Sequence, residues 1–372
     1  MKTSRLAVFH SKDEPIAFEK VTIPALGPGE ILVRNEYTTL CRSDLNTFAG
    51  KRTEKTPTIL GHEIVGCIDE LGPGAPTHDC RGAPLQVGDR VTWAIYASDP
   101  ASVLAQRGIP QKGEGLFKYG HERITATSTL HGGLAEYCIL RRHTPIVRVP
   151  LSIPLPVVAL INCSVATVAG SLRVAGEIRN RDILIAGTGM LGVIACAMCR
   201  LAGARRIVAL DVAPDRLETA LRFGADLGFD LRMPGSGGRD GLAALAGDHP
   251  FTVALDYSGI PETMELLLAS LGIGGFAVWV GATYPQRPLA VEAESLVRRL
   301  LTVTGLHNYN ERDLVTAVEF VEQHHTRFPL VDLVHDGFDL HQTNEAFACA
   351  LASRAHRVGV RTRIPRPESP CE

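Results

Sequence analysis

The residues best suited to chemistry are two cysteines, a histidine and a glycine-rich turn. Cys41 opens Cys41-Arg42-Ser43-Asp44, His62 lies within Gly61-His62-Glu63, and Cys163 follows far downstream. Two thiolates and an imidazole make a three-ligand zinc set that leaves a fourth position open, as a catalytic metal needs. The three lie too far apart in the chain for spacing alone to establish the site.

The run Gly187-Thr188-Gly189-Met190-Leu191-Gly192 reads G-x-G-x-x-G. It follows a buried-strand pattern at 182–186, opens an apolar helical pattern over 190–202, and precedes Asp211, 19 residues after Gly192 at the end of the next strand pattern. That context is the dinucleotide fingerprint. The first glycine permits the tight turn, the second lets backbone reach a pyrophosphate, and the third lets helix and strand approach. The helix N-terminus offers free N–H groups to the pyrophosphate. Asp211 would accept from the ribose hydroxyls and meet a 2′-phosphate with a like charge, which favours NAD over NADP. Arg216 has two readings, a neighbour of the ribose or a solvated helix residue.

Two kinds of element must position these groups. Residues 1–150 hold short β-type runs, such as 31–34, 64–68, 90–93 and 137–140, punctuated by Gly/Pro turns, which suggests a β-barrel-like domain. From about 165 the rhythm is strand then helix: strands at 182–186, 206–211, 251–256, 276–280 and 301–304, helices over 190–202 and 214–223. Such alternation predicts an α/β fold with a parallel sheet covered on both faces. Residues 232–248 read as loop then weak helix, and the last ten residues, with three prolines, as a frayed tail.

Composition narrows the function. The 372 residues are 45% hydrophobic and 21% charged, enough for about two domains with large cores. Lys+Arg number 38 against 40 Asp+Glu, which argues against nucleic acid as a partner. Nine cysteines cannot all pair, so reduced thiols in a cytoplasmic protein are expected. The N-terminus lacks a secretory apolar core. The longest weakly polar run, 183–199, holds three glycines and is short for a membrane span, so no membrane association is expected.

Together with Gly88-Asp89-Arg90-Val91, these motifs give the chain a plain resemblance to the zinc-dependent alcohol dehydrogenases of the medium-chain dehydrogenase/reductase superfamily, from about Leu6 to about Arg361. The resemblance implies a GroES-like catalytic domain at 1–163 and 306–372, a Rossmann NAD-binding domain at 164–305, and a cleft between them for zinc, NAD(H) and substrate. It makes Cys41, His62 and Cys163 the ligands of one catalytic zinc, with Glu63 beside the metal as a transient ligand. Asp44 would orient the His62 imidazole, and Ser43 would bond the substrate hydroxyl and start a proton relay. Zinc would stabilise negative charge on a substrate oxygen, and the nicotinamide would exchange hydride with its carbon.

Two departures stand out. Many relatives carry a second, structural zinc on four cysteines; here those places hold Asp99, Ser102, Ala105 and Gly113, so no structural zinc is expected in the lobe at about 97–125. The relay histidine of many relatives is replaced by Asn46, which cannot ionise near neutral pH. This substitution motivates an alternative, a biosynthetic reductase of an activated C=C or C=N bond on the same fold. A non-catalytic scaffold is a third reading, opposed by the intact ligand set.

Cys196 and Cys199 sit in an apolar helical pattern and read as buried packing residues rather than a metal pair. Lys112, Lys118, His121 and Arg123 read either as a solvated surface or as a pocket for an anionic substrate group. The text around them is similar to a branch called phosphonate-catabolism-associated alcohol dehydrogenases. The expected substrate is a small polar or anionic alcohol or its carbonyl, of the hydroxyphosphonate, polyol or cyclitol class. By the same family resemblance a homodimer or homotetramer is expected, paired through the strand region at 301–305.

Overall fold

The computed structural model describes residues 2–232 and 238–362. The expected frayed tail and residues 233–237 of the expected loop lie outside the described residues. The chain forms two compact units, one containing Cys163 and what precedes it together with the residues from Asn310 onward, the other Ser164–Tyr309.

The first unit is built on a seven-stranded sheet. Its main path runs Val334–Asp339, Arg357–Arg361, Ile31–Leu40, Glu63–Leu71, Arg90–Trp93, Ile146–Arg148, with Tyr137–Leu140 also paired to Ile31–Leu40. Every pairing is antiparallel except that of Val334–Asp339 with Arg357–Arg361. Two apolar clusters fill the unit. One gathers Leu6, Leu40, Leu134, Phe347 and Val358, the other Ile31, Ile64, Trp93, Tyr119 and Leu140. Frequent bulges and turns let these short strands curl, as the Gly/Pro punctuation predicts.

The second unit is a six-stranded parallel sheet in the order Leu227–Asp230, Arg206–Asp211, Asp182–Ala186, Phe251–Asp256, Leu271–Trp279, Thr302–Gly305. In chain order this is 3-2-1-4-5-6, the doubly wound arrangement whose ligand crevice lies where the order reverses. Asp182–Ala186 is buried throughout because helices cover both faces. The Leu271–Trp279 strand starts five residues before the 276–280 pattern, through a glycine-rich stretch whose register shifts against Phe251–Asp256. The most membrane-like helical run is Leu155–Ala175 rather than 183–199, but 83% of its apolar window is buried inside the protein. The thiols of Cys196 and Cys199 are fully buried on Met190–Leu201, and burial raises both.

Candidate metal centre and dinucleotide turn

The candidate metal centre forms where sheet register brings distant residues together. Cys41 ends the Ile31–Leu40 strand and caps the Arg42–Phe48 helix. The helix starts there because the Asp44 carboxylate accepts the Cys41 backbone N–H at 2.9 Å. The other Asp44 oxygen accepts the Gly61 N–H at 3.1 Å and lies 3.3 Å from His62 Nδ1. One carboxylate thereby fixes the helix start, the His62 loop and the imidazole.

The neighbouring segment is held equally closely. Gly133 donates its N–H to Gly61 at 2.7 Å. Gly120 takes φ +75°, and a Cβ there would stand 2.6 Å from the Gly61 carbonyl oxygen. A side chain at 120 would therefore push the His62 loop away.

Cys163 lies on a single wide turn, Ile161–Val165, within the Leu155–Ala175 helical run. Such π-type turns occur where a helix must present a functional side chain. Asn162, fully buried, ties the turn to the site. Its amide donates to the carbonyls of His62 at 3.0 Å and Trp93 at 2.9 Å, and its oxygen accepts from Ile64 N–H at 3.2 Å.

Cys41, His62, Glu63 and Cys163 thus converge, with one ligand atom from each within 4.8 Å of the others. Among the described residues this is the one such gathering of three or more metal-type donors. The donor set fits zinc. Two sulfurs, an imidazole whose far nitrogen faces a carboxylate, and an acidic oxygen can close to the ~2.0–2.3 Å that zinc takes. Cys41 is drawn toward thiolate, chiefly by the Cys163 S–H and also by Arg357 and His62, while Cys163 keeps its proton. Burial opposes charge on His62, but Asp44 and Cys41 outweigh it and hold the imidazole above its ordinary range. Burial likewise works against the Asp44 carboxylate, and His62 holds it low. Ser43 Oγ lies 3.4 Å from His62 Nε2.

Glu63 carries a feature that the motifs do not signal. Arg357, itself buried, grips both its oxygens at 2.6 and 2.8 Å and sends a further N–H toward Cys41 Sγ at 3.5 Å. Thr39 Oγ1 donates to the same carboxylate. Strand register explains this: Val358 pairs with Leu40 and Thr39 with Glu63, which carries Arg357 to the end of the strand that Cys41 follows. Burial raises Glu63, against the pull of Arg357.

Of the basic stretch, His121 is buried, and its ring centroid lies 4.9 Å from that of His62. Its Nδ1 meets Glu54 Oε1 at 2.9 Å. Burial lowers its pKa against the pull of Glu54 and favours the neutral ring; a neutral ring that donates from Nδ1 to Glu54 leaves Nε2 as an acceptor. Burial first, then the charges of Lys112 and Arg52, push Lys118 down to about 8. Arg123 is exposed. In the neighbouring lobe Asp99 Oδ1 accepts Ala101 N–H and Ser102 caps Val103–Gln106 by accepting Ala105 N–H, so hydrogen bonds hold the places of the missing cysteines.

The dinucleotide turn belongs to the other unit. Gly187 takes φ +82°, and Met190–Leu201 begins at Gly189. A Cβ on Gly192 would sit 2.1 Å from the Gly187 carbonyl oxygen, so only glycine lets the helix close on the turn. Around Gly189 a Cβ would meet only Arg216 Nη1, at 3.4 Å. Met190 is buried, Leu191 is partly exposed, and Asp211 ends its strand. Asp211 is already occupied: Oδ2 accepts Thr188 N–H at 2.7 Å and Thr188 Oγ1–H at 2.9 Å, and Oδ1 accepts the N–H groups of Val212 and Ala213 at 2.7 and 3.1 Å.

Comparison with known proteins agrees with this architecture. Residues 27–151 match the alcohol dehydrogenase GroES-like domain, and residues 191–323 match the zinc-binding dehydrogenase family. The chain belongs to the zinc-dependent alcohol dehydrogenases of the medium-chain dehydrogenase/reductase superfamily. This oxidoreductase is 28% identical over 307 residues to L-threonine 3-dehydrogenase of Streptomyces avermitilis, covering 81% of this chain and 83% of that protein. Its fold is that of an alcohol dehydrogenase from Thermotoga maritima, with a TM-score of 0.90 at 23% identity over 97% of this chain and 100% of that one. A zinc-binding dehydrogenase from Sinorhizobium meliloti bound to NADP superposes with a TM-score of 0.83 at 22% identity, over 97% and 100% of the two chains.

Proposed function

We propose that this dehydrogenase transfers hydride between NAD(H) and a small polar, anionic or hydroxyl-rich alcohol, with one catalytic zinc per chain. The convergence of Cys41, His62, Glu63 and Cys163 carries the reading. In it the three neutral-or-thiolate donors hold the metal, and Glu63, restrained by Arg357, stands by as a transient ligand. Zinc, when bound, supplies Lewis-acid stabilisation of negative charge on a substrate oxygen. Asp44 fixes the tautomer of His62 by facing Nδ1, which leaves Nε2 for coordination. Ser43, 3.4 Å from that nitrogen, takes the substrate hydroxyl proton. Asn46 cannot pass the proton on, so it leaves through the cofactor ribose or water. In this reading the Ser164–Tyr309 unit serves the dinucleotide, with Gly187 to Gly192 around the pyrophosphate and Asp211 and Arg216 toward the adenosine ribose.

Polarity of the substrate is supported by the two sides of the basic stretch. A neutral His121 that donates from Nδ1 to Glu54 presents Nε2 as an acceptor for a substrate O–H or N–H, and the Lys118 ammonium on the same stretch suits an anionic substituent. The hydroxyphosphonate, polyol and cyclitol classes all carry such groups, and the L-threonine 3-dehydrogenase relatives point to a small polar alcohol as well. A homodimer or homotetramer paired through the Thr302–Gly305 edge strand, in the cytoplasm, completes the proposal.

The test is a product assay with NADH deuterated at the transferred position and a panel of polar ketones. Deuterium on the carbinol carbon supports the reading. Deuterium delivered only to a C=C or C=N substrate would replace it with the reductase motivated by Asn46.

A further inference from the structure

The Asp211 carboxylate departs from what an NAD-selecting acid needs. A carboxylate offers about four lone-pair sites, and an acid at this place of the fold selects NAD by accepting from ribose hydroxyls. Here four protein donors already fill those sites. Two come from Thr188, whose hydroxyl is fully buried against the carboxylate, and two from the backbone of Val212 and Ala213. The donors hold the carboxylate turned onto the turn and spread its negative charge over four N–H and O–H dipoles.

Over the same turn stands a cation without a protein counter-charge among the described residues. Arg216 makes no side-chain hydrogen bond or ion pair among the described residues, and its Nη1 hangs over Gly189, the open glycine of the turn. The register neighbour of Asp211, Asp230, has its own cation in Arg232 at 4.0 Å and gives Oδ1 to the Arg232 N–H. A planar guanidinium without a carboxylate partner is the group that takes a phosphate through paired hydrogen bonds.

We infer that Arg216 is a 2′-phosphate-binding residue and that this enzyme accepts NADP(H) alongside NAD(H), because Thr188 occupies the acid that would otherwise select against it. The inference rests on the dinucleotide reading above and revises the preference expected from Asp211 alone. Thr188 is the specificity-determining partner: by filling Oδ2 it removes an acceptor that the NAD ribose would use.

The experiment is calorimetric titration of NADH and NADPH into the full-length, zinc-loaded protein without substrate. The two dissociation constants are expected to agree within about tenfold. Arg216→Ala should weaken NADPH by about tenfold or more and NADH by less than about threefold, with Arg216→Lys recovering part of the NADPH loss. Thr188→Val, which frees one acceptor on Asp211 and keeps the side-chain shape, should shift the ratio toward NADH. NADPH binding more than about a hundredfold weaker than NADH in the unaltered protein would overturn the inference and leave the dinucleotide reading intact. Equal weakening of both cofactors by Arg216→Ala would also overturn it, since Arg216 would then serve a group common to both. Absence of binding by either cofactor would sink the dinucleotide reading and this inference with it.

Discussion

The metal centre and the dinucleotide turn are built on opposite principles. The candidate metal centre draws on five stretches of chain, at 39–44, 62–63, 121, 162–163 and 357, and its groups are buried or half-buried side chains that compensate one another. The dinucleotide turn is one contiguous stretch whose shape depends on backbone and on what a glycine lacks. The first fails when a partner is removed, because the group left behind is charged and dry. The second fails when something is added, because at Gly187 and Gly192 a Cβ would collide with backbone.

That contrast can be broken or sharpened by experiment. The largest effect is expected for Cys163→Ser, which should remove bound zinc and turnover together while leaving the dinucleotide turn able to bind NADH; metal analysis beside cofactor titration checks both halves. Next, Arg357→Met strands the Glu63 carboxylate in a buried site, and urea unfolding should register a loss of about 3–5 kcal/mol. A Glu63→Gln, Arg357→Met double variant should recover much of that loss, which a merely steric role for Arg357 would not produce.

A third expectation concerns acid. His131 is buried, neither ring nitrogen meets a partner at hydrogen-bond geometry among the described residues, and burial pushes its pKa down to about 4. The unfolded chain titrates near 6.5, so between these values it binds more protons than the folded one. His131 therefore costs nothing above about pH 6.5, and stability falls as pH drops toward 4, by about 3 kcal/mol at most. Urea midpoints at several pH values, compared with His131→Phe, should show a flatter acid limb in the variant.

Smaller effects fall on the turn and on the imidazole. Gly192→Ala should cost about 1–3 kcal/mol in thermal unfolding, because the obstructing atom is backbone. Gly189→Ala, which meets only a flexible arginine, should stay within about 0.5 kcal/mol of the unaltered protein. If both alanines are tolerated equally, the account of the turn is wrong. Asp44→Asn should lower zinc affinity by about 10–100-fold in a chelator competition without abolishing binding.

The same contrast explains what could be read from the sequence. The glycine turn was legible because its meaning is local: strand, turn, helix and acid lie within one short stretch. Hydrophobic period and turn residues likewise marked the strands Asp182–Ala186, Arg206–Asp211 and Phe251–Asp256 and the Gly/Pro-punctuated sheet of the first unit. Cys41, His62 and Cys163 could be named as a chemical set, but their union needed the family resemblance, and their burial network needed coordinates. Arg357 is one of many arginines in the chain; only the pairing of Val358 with Leu40 reveals that it faces Glu63 and Cys41. Asn162 left a faint trace, an amide directly after the apolar run 157–161, and an amide so placed must find partners. The pairing of His121 with Glu54 left none, since nothing in a basic surface-like stretch announces a buried ring. The occupation of Asp211 by Thr188 was hidden too, because the fingerprint treats the residue after the first glycine as free.

The most direct test of the account is the zinc content of the folded protein, measured by mass spectrometry of the metal after dialysis, beside that of Cys163→Ser. The account predicts about one zinc per chain in the unaltered protein and almost none in the variant. A folded, NADH-binding protein without zinc, or a variant that retains its full zinc content, would contradict it.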